Sequence, residues 1–153
     1  MEKINSFRNE YFFLSNFYEV DITYNGITYK NNEAAFQAQK TDNEEVRKQF
    51  ANLTPKSAKR KGRKVDLVPY WDINKFGIMK DICMTKFIQN PDLREKLLST
   101  GDTLLEEGNN WGDRIWGTVN GKGQNNLGKI LMQVRDEIRN NKIGNLVKGV
   151  NYD

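Results

Sequence analysis

Histidine is absent from this chain of 153 residues, and cysteine occurs once, at Cys83. The lack of imidazole excludes the commonest general base, His-based catalytic triads and His metal sites. One cysteine excludes a disulfide framework and thiolate zinc clusters. We therefore expect no metal ion or other cofactor, and any catalysis has to use carboxylates, amines, hydroxyls, amides and backbone groups. Cys83 lies in a helical-looking segment and is expected to be a small buried hydrophobic residue.

Long apolar runs and proline are also scarce. No stretch approaches the roughly 20 apolar residues of a membrane helix, and the first residues lack the apolar core of a signal peptide. Only three prolines occur, and none marks a linker. Eight Phe, six Tyr and three Trp supply large apolar groups for a core. These features predict one soluble, cytoplasmic domain over residues 1–153 without membrane contact.

The charge balance favours anionic partners. Lysine and arginine number 24 against 20 acidic residues, which gives a net charge of +4. The calculated pI is about 9.1. An excess of positive charge attracts polyanions in general and does not identify a particular one.

The secondary-structure pattern begins with strands. Two alternating β-rich runs flank Asn25-Gly26, a pair typical of a tight hairpin because a type I′ turn needs two positive φ angles. A further strand is expected around residues 12–14, and another over residues 103–106.

Helices are expected over most of the remaining chain. The expected helices cover residues 33–40 after a cap by Asn31 or Asn32, a short segment from a cap at Asp42 to about Phe50, a segment from Thr54-Pro55 to a stop at Gly62, a longer one from Asp72 or Asn74 to Phe87, then residues 92–99 and residues 127–138. The predicted fold class is α+β, a mainly helical domain with a small N-terminal antiparallel sheet.

Two charged features are candidates for function. Glu33 stands in the first turn of a predicted helix, where it is either a carboxylate that complements the helix dipole or a catalytic carboxylate at the rim of the sheet. The segment from Lys56 to Lys64 carries six cations and no acid. It is either a solvated face or a phosphate-binding surface. Arg63 follows the helix-stopping Gly62 and can turn inward to grip a phosphate with two nitrogens.

A glycine-rich stretch from Gly112 to Gly128 contains Trp116 and leads into the last helix. Glycine permits close approach of the backbone to a ligand, and a helix N-terminus attracts anions. Tryptophan rings can stack on a base. The alternative is a glycine-rich surface loop with two tryptophans, Trp111 and Trp116, in the core.

Taken together, these segments resemble the NADAR superfamily, whose best-known bacterial branch is YbiA-like, over about residues 12–139. The motifs that carry the resemblance are Phe13-Leu14-Ser15-Asn16-Phe17-Tyr18, Tyr29 through Glu33 with Phe36-Gln37-Ala38-Gln39-Lys40, Gly62-Arg63, Trp71, Met79, Lys86-Phe87, Leu97-Leu98, Thr100-Gly101, Asp113 with Trp116-Gly117, and Gly123, Asn125, Leu127-Gly128, Leu131-Met132 and Arg135. One departure stands at Thr118, where YbiA-like enzymes often carry Asp.

The resemblance implies an N-glycosidase. One branch of the superfamily hydrolyses phosphorylated, ribosylated pyrimidine intermediates of riboflavin synthesis, and another removes ADP-ribose from modified guanine bases in DNA. The high pI, the cationic segment and Thr118 favour ADP-ribosylated guanine, in DNA or as a nucleoside, over a small phosphoribosyl substrate. A third alternative is a non-catalytic module that binds NAD or ADP-ribose, against which the presence of Glu33 counts.

The resemblance also implies roles for individual residues. Glu33 matches the essential carboxylate, Lys40 and Lys86 match recurrent lysines, and Asp113 matches the acid before Trp-Gly, so these four are the expected catalytic residues. A lysine that attacks an opened ribose as a Schiff base is an alternative to attack by water, and the choice between Lys40 and Lys86 stays open. The expected substrate-binding residues are Ser15, Asn16, Phe17, Arg63, Trp71, Trp116, Gly117, Gly123 and Asn125. Nucleic acid is expected to contact the segment from Lys56 to Lys64.

Overall fold

A computed structural model of the chain describes residues 2–140. Along the chain the elements are β1 (Lys3–Ile4), a 3-10 helix (Asn9–Leu14), β2 (Ile22–Tyr24), β3 (Ile27–Tyr29), α1 (Asn32–Ala38), α2 (Glu44–Lys48), α3 (Pro55–Gly62), α4 (Trp71–Gln89), α5 (Pro91–Ser99), β4 (Leu104–Leu105) and α6 (Asn126–Arg139). The predicted α+β class is confirmed. The described residues form two compact units, one of residues 2–15 and 90–140 and the other of residues 16–89. The single domain predicted from the sequence stays a prediction.

The unit of residues 16–89 contains the predicted hairpin. Strands β2 and β3 are antiparallel, with Ile22 opposite Tyr29. Asn25 and Gly26 both have positive φ, 49° and 84°. This is the backbone that a type I′ turn requires, so the interpretation of the Asn-Gly pair is confirmed. The alternation of buried and exposed residues along both strands turns one face of the hairpin toward the core.

Helix α1 lies inside the same unit, against α3 and α4. Asn31 caps it as predicted, since its Oδ1 accepts a hydrogen bond of 2.7 Å from the backbone N–H of Ala34. Every residue of the helix is buried. Because Asn32, Glu33 and Gln37 are among them, the interior of this unit contains polar side chains that must find partners within the protein.

The caps of α2 and α3 test two further predictions. Thr54 caps α3 as predicted, and its Oγ1 accepts from the N–H of Ser57 at 3.2 Å. The predicted cap of α2 was wrong by one position. Asn43 rather than Asp42 accepts from the N–H of Val46, at 3.2 Å. Asp42 instead lies 3.7 Å from the guanidinium of Arg47.

Helix α4 begins at Trp71, one residue before the earliest predicted start. The carbonyl oxygen of Tyr70 accepts the N–H groups of Ile73 and Asn74, both at 3.0 Å. This start places Trp71 in the first turn of the helix, where the side chain is buried. Met79, Ile82 and Phe87 are buried on the same helix.

The unit of residues 2–15 and 90–140 holds two differences from the sequence prediction. Residues 12–14 belong to the 3-10 helix and not to a strand, and only Phe13 and Leu14 of that helix are buried. A strand would bring Phe12 and Leu14 to the same face, whereas here Phe12 is exposed. The second difference is that β4 pairs in parallel with β1, near the N-terminus.

Helix α6 belongs to this unit, matches the helix predicted over residues 127–138 and is amphipathic. Its apolar side buries Leu127, Ile130, Leu131, Val134 and Ile138. None of the helices between residues 2 and 140 is long and apolar enough to cross a lipid bilayer. The chain after residue 140, whose structure the sequence pattern did not define, lies outside the described residues.

Candidate active site

Glu33 is held inside the unit of residues 16–89. Its side chain is buried, and its backbone N–H donates to the carbonyl oxygen of Asn16 at 3.1 Å. The carboxylate Oε2 accepts a hydrogen bond of 2.7 Å from Nε2 of Gln37, one turn further along α1. The side-chain cap of the helix comes from Asn31. The carboxylate of Glu33 is therefore a buried, oriented group.

Lys40 follows α1 and lies close enough to Glu33 for the two charges to interact. Burial lowers the pKa of Lys40, the negative charge of Glu33 raises it, and the positive charges of Arg63, Lys75 and Lys59 lower it further. The Nζ atom lies 6.0 Å from the centre of the Trp71 ring. Three predicted residues, Glu33, Lys40 and Trp71, are thus neighbours in one unit.

Lys86 is the most enclosed amine of this unit, with 1% of its surface exposed. Burial lowers its pKa from 10.5 to about 8. The Nζ atom lies 5.5 Å from the ring centre of Tyr18 and 5.2 Å from that of Phe87, distances typical of cation–π contacts. A lysine with a lowered pKa holds a larger fraction of the neutral amine near neutral pH. The ammonium group of Lys86 therefore loses its proton more easily than that of an exposed lysine, and it lies beside the rings of Tyr18 and Phe87.

Cys83 lies one turn before Lys86 and is completely buried. Burial raises the pKa of its thiol to about 12, although the positive charge of Lys86 opposes the shift. A thiol with so high a pKa is a poor nucleophile at neutral pH. The prediction of a small buried hydrophobic residue is confirmed.

Two buried carboxamides lie next to these groups. Nδ2 of Asn32 donates to Oδ1 of Asn16 at 3.1 Å and to the sulfur of Cys83 at 3.7 Å. Nδ2 of Asn16 approaches the sulfur of Met79 at 3.5 Å. Oδ1 of Asn32 is buried and accepts no hydrogen bond. Asn16 was predicted as a site residue, whereas Asn32 was considered only as a helix cap.

The cationic segment covers the outer side of α3 and the two residues after its end. Lys56, Arg60, Arg63 and Lys64 are exposed, whereas Ala58 and Gly62 face the interior. Arg63 was predicted to turn inward, and the structure leaves it exposed. Its charge nevertheless lowers the pKa of Lys40.

The half-buried lysines of this segment rest on aromatic rings. Nζ of Lys59 lies 5.7 Å from the ring centre of Phe17, a predicted substrate-binding residue that is partly exposed. Nζ of Lys61 lies 5.7 Å from the ring centre of Phe50. Lys59 and Lys61 therefore pack against aromatic rings of the protein, whereas Lys56 and Arg60 are exposed to solvent.

The remaining predicted site residues belong to the unit of residues 2–15 and 90–140. Oδ1 of Asp113 accepts the N–H groups of Ile115 at 3.0 Å and Trp116 at 2.9 Å. Asn109 receives the N–H of Asp113 on its Oδ1 at 3.1 Å. Asp113 therefore shapes the turn that presents Trp116. Ser15 closes the 3-10 helix through its N–H, which donates to the carbonyl oxygen of Phe12 at 2.9 Å.

The predicted glycines of that unit are needed by its own backbone. A Cβ atom on Gly117 would lie 2.0 Å from the carbonyl oxygen of Glu107, and one on Gly123 would lie 2.4 Å from that of Gly117. Asn125, with φ of 51°, accepts the N–H of Glu107 at 2.9 Å and donates to the carbonyl oxygen of Leu105 at 3.0 Å. These contacts fix the loop that leads into α6.

Comparison with known proteins decides the family. The NADAR domain model matches residues 4–139. The chain belongs to the NADAR family. The resemblance predicted from the sequence motifs is confirmed.

The relatives include proteins of several bacteria. The chain is 35% identical over 134 residues to the N-glycosidase YbiA of Shigella boydii, covering 85% of this chain and 83% of that one. It is 37% identical over 142 residues to a riboflavin biosynthesis protein of Vibrio vulnificus, covering 89% of this chain but 38% of the relative. It is 46% identical over 93 residues to an N-glycosidase of Nostoc punctiforme, covering 59% of each. The chain thus spans less than two thirds of the last two relatives.

A solved structure shares the fold. The NMR structure of the Escherichia coli protein YbiA matches with a TM-score of 0.82 and 34% identity, covering 93% of this chain and 88% of that one. The α+β architecture of this NADAR protein is therefore that of YbiA.

Thr118 of this NADAR chain contacts a carboxylate within the unit of residues 2–15 and 90–140. The side chain is buried, and its hydroxyl donates a short hydrogen bond to Oε2 of Glu106. Glu106 also forms an ion pair of 3.0 Å with Lys3. The bond from Thr118 is the main cause that lowers the pKa of Glu106. A carboxylate therefore lies beside position 118, and it belongs to Glu106, the residue that follows β4.

The sequence patterns did not single out Gln37 and Asn32, whose side chains contact the candidate site residues Glu33 and Asn16. Both residues carry carboxamide side chains on α1. In the sequence alone, polar residues on a helix are expected at the surface, but the structure buries both. Among residues 2–140, no three His, Cys, Asp or Glu side chains are grouped so that they can hold a metal ion.

Proposed function

We propose that the protein is an N-glycosidase that releases ADP-ribose from ADP-ribosylated guanine in nucleic acid. One observation carries the chemistry: a buried, oriented carboxylate, Glu33, lies in the same unit as two lysines whose pKa is lowered by burial. Cleavage of an N-glycosidic bond develops positive charge on the ribose, and a fixed carboxylate stabilises it. Two of the three relatives described above are named N-glycosidases.

Two routes to cleavage fit these groups. In the first, Glu33 stabilises the positive charge at C1 of the ribose while water attacks that carbon, and an ammonium group gives a proton to the departing base. In the second, the ribose ring opens so that C1 is joined to the base nitrogen as an imine. A neutral lysine amine adds to C1, both of its protons pass to the base nitrogen, and the bond from C1 to that nitrogen breaks. The base leaves as the free amine, and the lysine nitrogen holds C1 as an imine. Water then hydrolyses the lysine imine and regenerates the enzyme.

The nucleic-acid part of the proposal rests on α3. The exposed cations of this helix and of the two residues after it, Lys56, Arg60, Arg63 and Lys64, are suited to phosphates on either side of a modified base. Arg63 is the cation of this group whose charge acts on Lys40, so we assign it to the diphosphate of the ADP-ribose. A protein that only senses ADP-ribose has no need of an oriented carboxylate that interacts with a lysine whose pKa is lowered by burial.

A second candidate substrate is a phosphorylated ribosyl-aminopyrimidine. It is favoured by the 37% identity to a relative named for riboflavin biosynthesis, of which this chain covers 38%. Both substrates are N-glycosides of a phosphorylated ribose, so the same carboxylate and lysines serve either.

Product analysis by mass spectrometry tests the proposal. The protein is incubated separately with a DNA oligonucleotide that carries ADP-ribosylated guanine and with the phosphorylated ribosyl-aminopyrimidine. We expect free ADP-ribose and an unmodified guanine from the first substrate, at a higher kcat/KM than for the second. If the phosphorylated ribosyl-aminopyrimidine is cleaved faster, it becomes the proposed substrate in place of ADP-ribosylated guanine. Cleavage of neither would refute the N-glycosidase proposal.

A further inference from the structure

The contact between Gln37 and Glu33 joins two buried side chains on one face of α1. The residues are four apart, so their side chains lie one above the other on the helix. Nε2 of Gln37 donates to Oε2 of Glu33 at 2.7 Å, and both residues are more than nine-tenths buried. A hydrogen bond to a charged acceptor is short and about twice as strong as a neutral one. The bond therefore holds the carboxylate in one rotamer.

The other end of the Gln37 amide lies against α3. A Cβ atom built on Gly62 would lie 1.9 Å from Oε1 of Gln37 and 2.8 Å from its Cδ. The amide of Gln37 thus occupies the space that a side chain at position 62 would need. Since Gly62 has no positive φ, its lack of a side chain, and not backbone freedom, is what this position requires.

We propose that Gln37 is a positioning residue for Glu33 and that Gly62 is the residue that leaves room for it. This inference rests on the proposed function, because it takes Glu33 as the catalytic carboxylate. Gln37 acts through the hydrogen bond to Oε2, and Gly62 acts by letting the last turn of α3 approach the amide. The consequence is that the last turn of the cationic helix sets the position of the catalytic carboxylate.

Single variants form the first part of the test, with kcat and KM measured on the ADP-ribosylated DNA oligonucleotide and on the phosphorylated ribosyl-aminopyrimidine. Glu33→Gln should lower kcat by several orders of magnitude. Gln37→Met keeps the length of the side chain but has no donor, and it should lower kcat at least tenfold with KM changed less than twofold. If Glu33→Gln keeps normal turnover, the proposed function of Glu33 fails. If Glu33→Gln is inactive and Gln37→Met is normal, only the positioning role fails.

A double-mutant cycle separates positioning from packing. Gly62→Ala should lower both the thermal midpoint and kcat, because its methyl group displaces the Gln37 amide. Gln37→Ala should lower kcat and leave a space beside Gly62. In the double variant the methyl group occupies that space, so the thermal midpoint should recover from its value in Gly62→Ala while kcat stays at the level of Gln37→Ala. A kcat that recovers together with the thermal midpoint would overturn the proposal.

Gly77 provides the matched control. It lies in α4 of the same unit, and a Cβ atom at this position would meet nothing within 4 Å. Gly77→Ala should leave kcat unchanged and leave the thermal midpoint unchanged or higher. A loss of kcat in this variant equal to that of Gly62→Ala would show that any added methyl group on a helix of this unit disturbs turnover, and it would refute the specific role of Gly62.

Discussion

The amine of Lys86 lies 5.5 Å from the ring centre of Tyr18, inside a unit where its side chain is almost completely buried. The ring face attracts the charged form, whereas removal of water disfavours it. Burial is the larger of the effects on the pKa, which falls to about 8. The folded protein therefore holds this proton less tightly than the unfolded chain does.

Replacement of Lys86 by methionine should stabilise the protein at neutral pH. With a folded pKa of about 8 against 10.5, the penalty for the buried charge is complete below about pH 8 and disappears as the pH rises toward 10.5. Lys86→Met keeps a similar volume and should raise the free energy of unfolding at pH 7 by at most about 3 kcal/mol, less the loss of the ring contacts. The gain should shrink at pH 10. Urea unfolding at both pH values measures it, with Lys64→Met at an exposed lysine as the control. A loss of stability at pH 7 would contradict the prediction.

A covalent route should leave a trace on Lys86. Its lowered pKa supplies neutral amine near pH 8, whereas the carboxylate of Glu33 opposes the lowering at Lys40. Borohydride added during turnover of the ADP-ribosylated oligonucleotide should reduce a lysine imine to a stable adduct on Lys86, found by peptide mass spectrometry. The rate of turnover should rise with pH through about 8, because the neutral amine is the reacting form. Absence of an adduct, together with activity in both Lys86→Arg and Lys40→Arg, would favour direct attack by water.

The exposed cations of α3 and of the residues just after it should matter for long nucleic acid and not for a nucleoside. Neutralisation of Lys56, Arg60 and Lys64 to glutamine should weaken activity on the ADP-ribosylated oligonucleotide. The dependence of log K on log salt should become shallower by about 0.7 for each lost contact with a single strand. Activity on an ADP-ribosylated nucleoside should barely change. Neutralisation of the exposed Arg8, Lys96 and Lys129, which lie in the other unit, is the matched control. Equal losses on both substrates would assign the cations to the fold or the pocket.

A carboxylate at position 118 should be costly in this chain. The hydroxyl of Thr118 donates to Glu106, so Thr118→Asp removes the donor and places a second negative charge beside the first. The folded pair should then have a raised pKa, and the loss of stability should grow as the pH rises from about 4 to 7. We expect about 2–4 kcal/mol at pH 7, measured by urea unfolding. Thr118→Ser keeps the donor and should lose much less. Similar losses in both variants would mean that the methyl group of Thr118 matters more than its hydroxyl.

Local signals in the sequence predicted the parts of the fold that depend on neighbouring residues. The Asn25-Gly26 hairpin and the Thr54 cap of α3 are fixed by backbone angles and hydrogen bonds within a few positions. The pairing of β1 with β4 has no such signal, because each strand has two residues and the partners are far apart in sequence. The strand expected at residues 12–14 was wrong because β propensity was weighed without knowledge of which aromatic side chains are buried.

The candidate site could be predicted to a similar extent. Family motifs identified Glu33, Lys40 and Lys86, and burial then distinguished the enclosed Lys86 from the half-buried Lys40. Gln37 could not be recognised as a partner of Glu33 from spacing alone, because a residue four positions along a helix can equally point to solvent. The orientation of Arg63 depends on packing between helices, and the sequence contains no local rule for it.

The complete burial of α1 has a consequence for the mutational tolerance of the chain. Asn31 through Gln39 form an unbroken run of buried residues, and carboxamide or carboxylate groups occupy more than half of these positions. An apolar side chain at one of the polar positions leaves a buried hydrogen-bond partner unsatisfied, and a side chain larger than the native one has no space. In a library that carries every substitution at each position and is selected for folding alone, positions 31 to 39 should accept few substitutions. The exposed Lys30 before this run and Asp42 shortly after it should accept most residues.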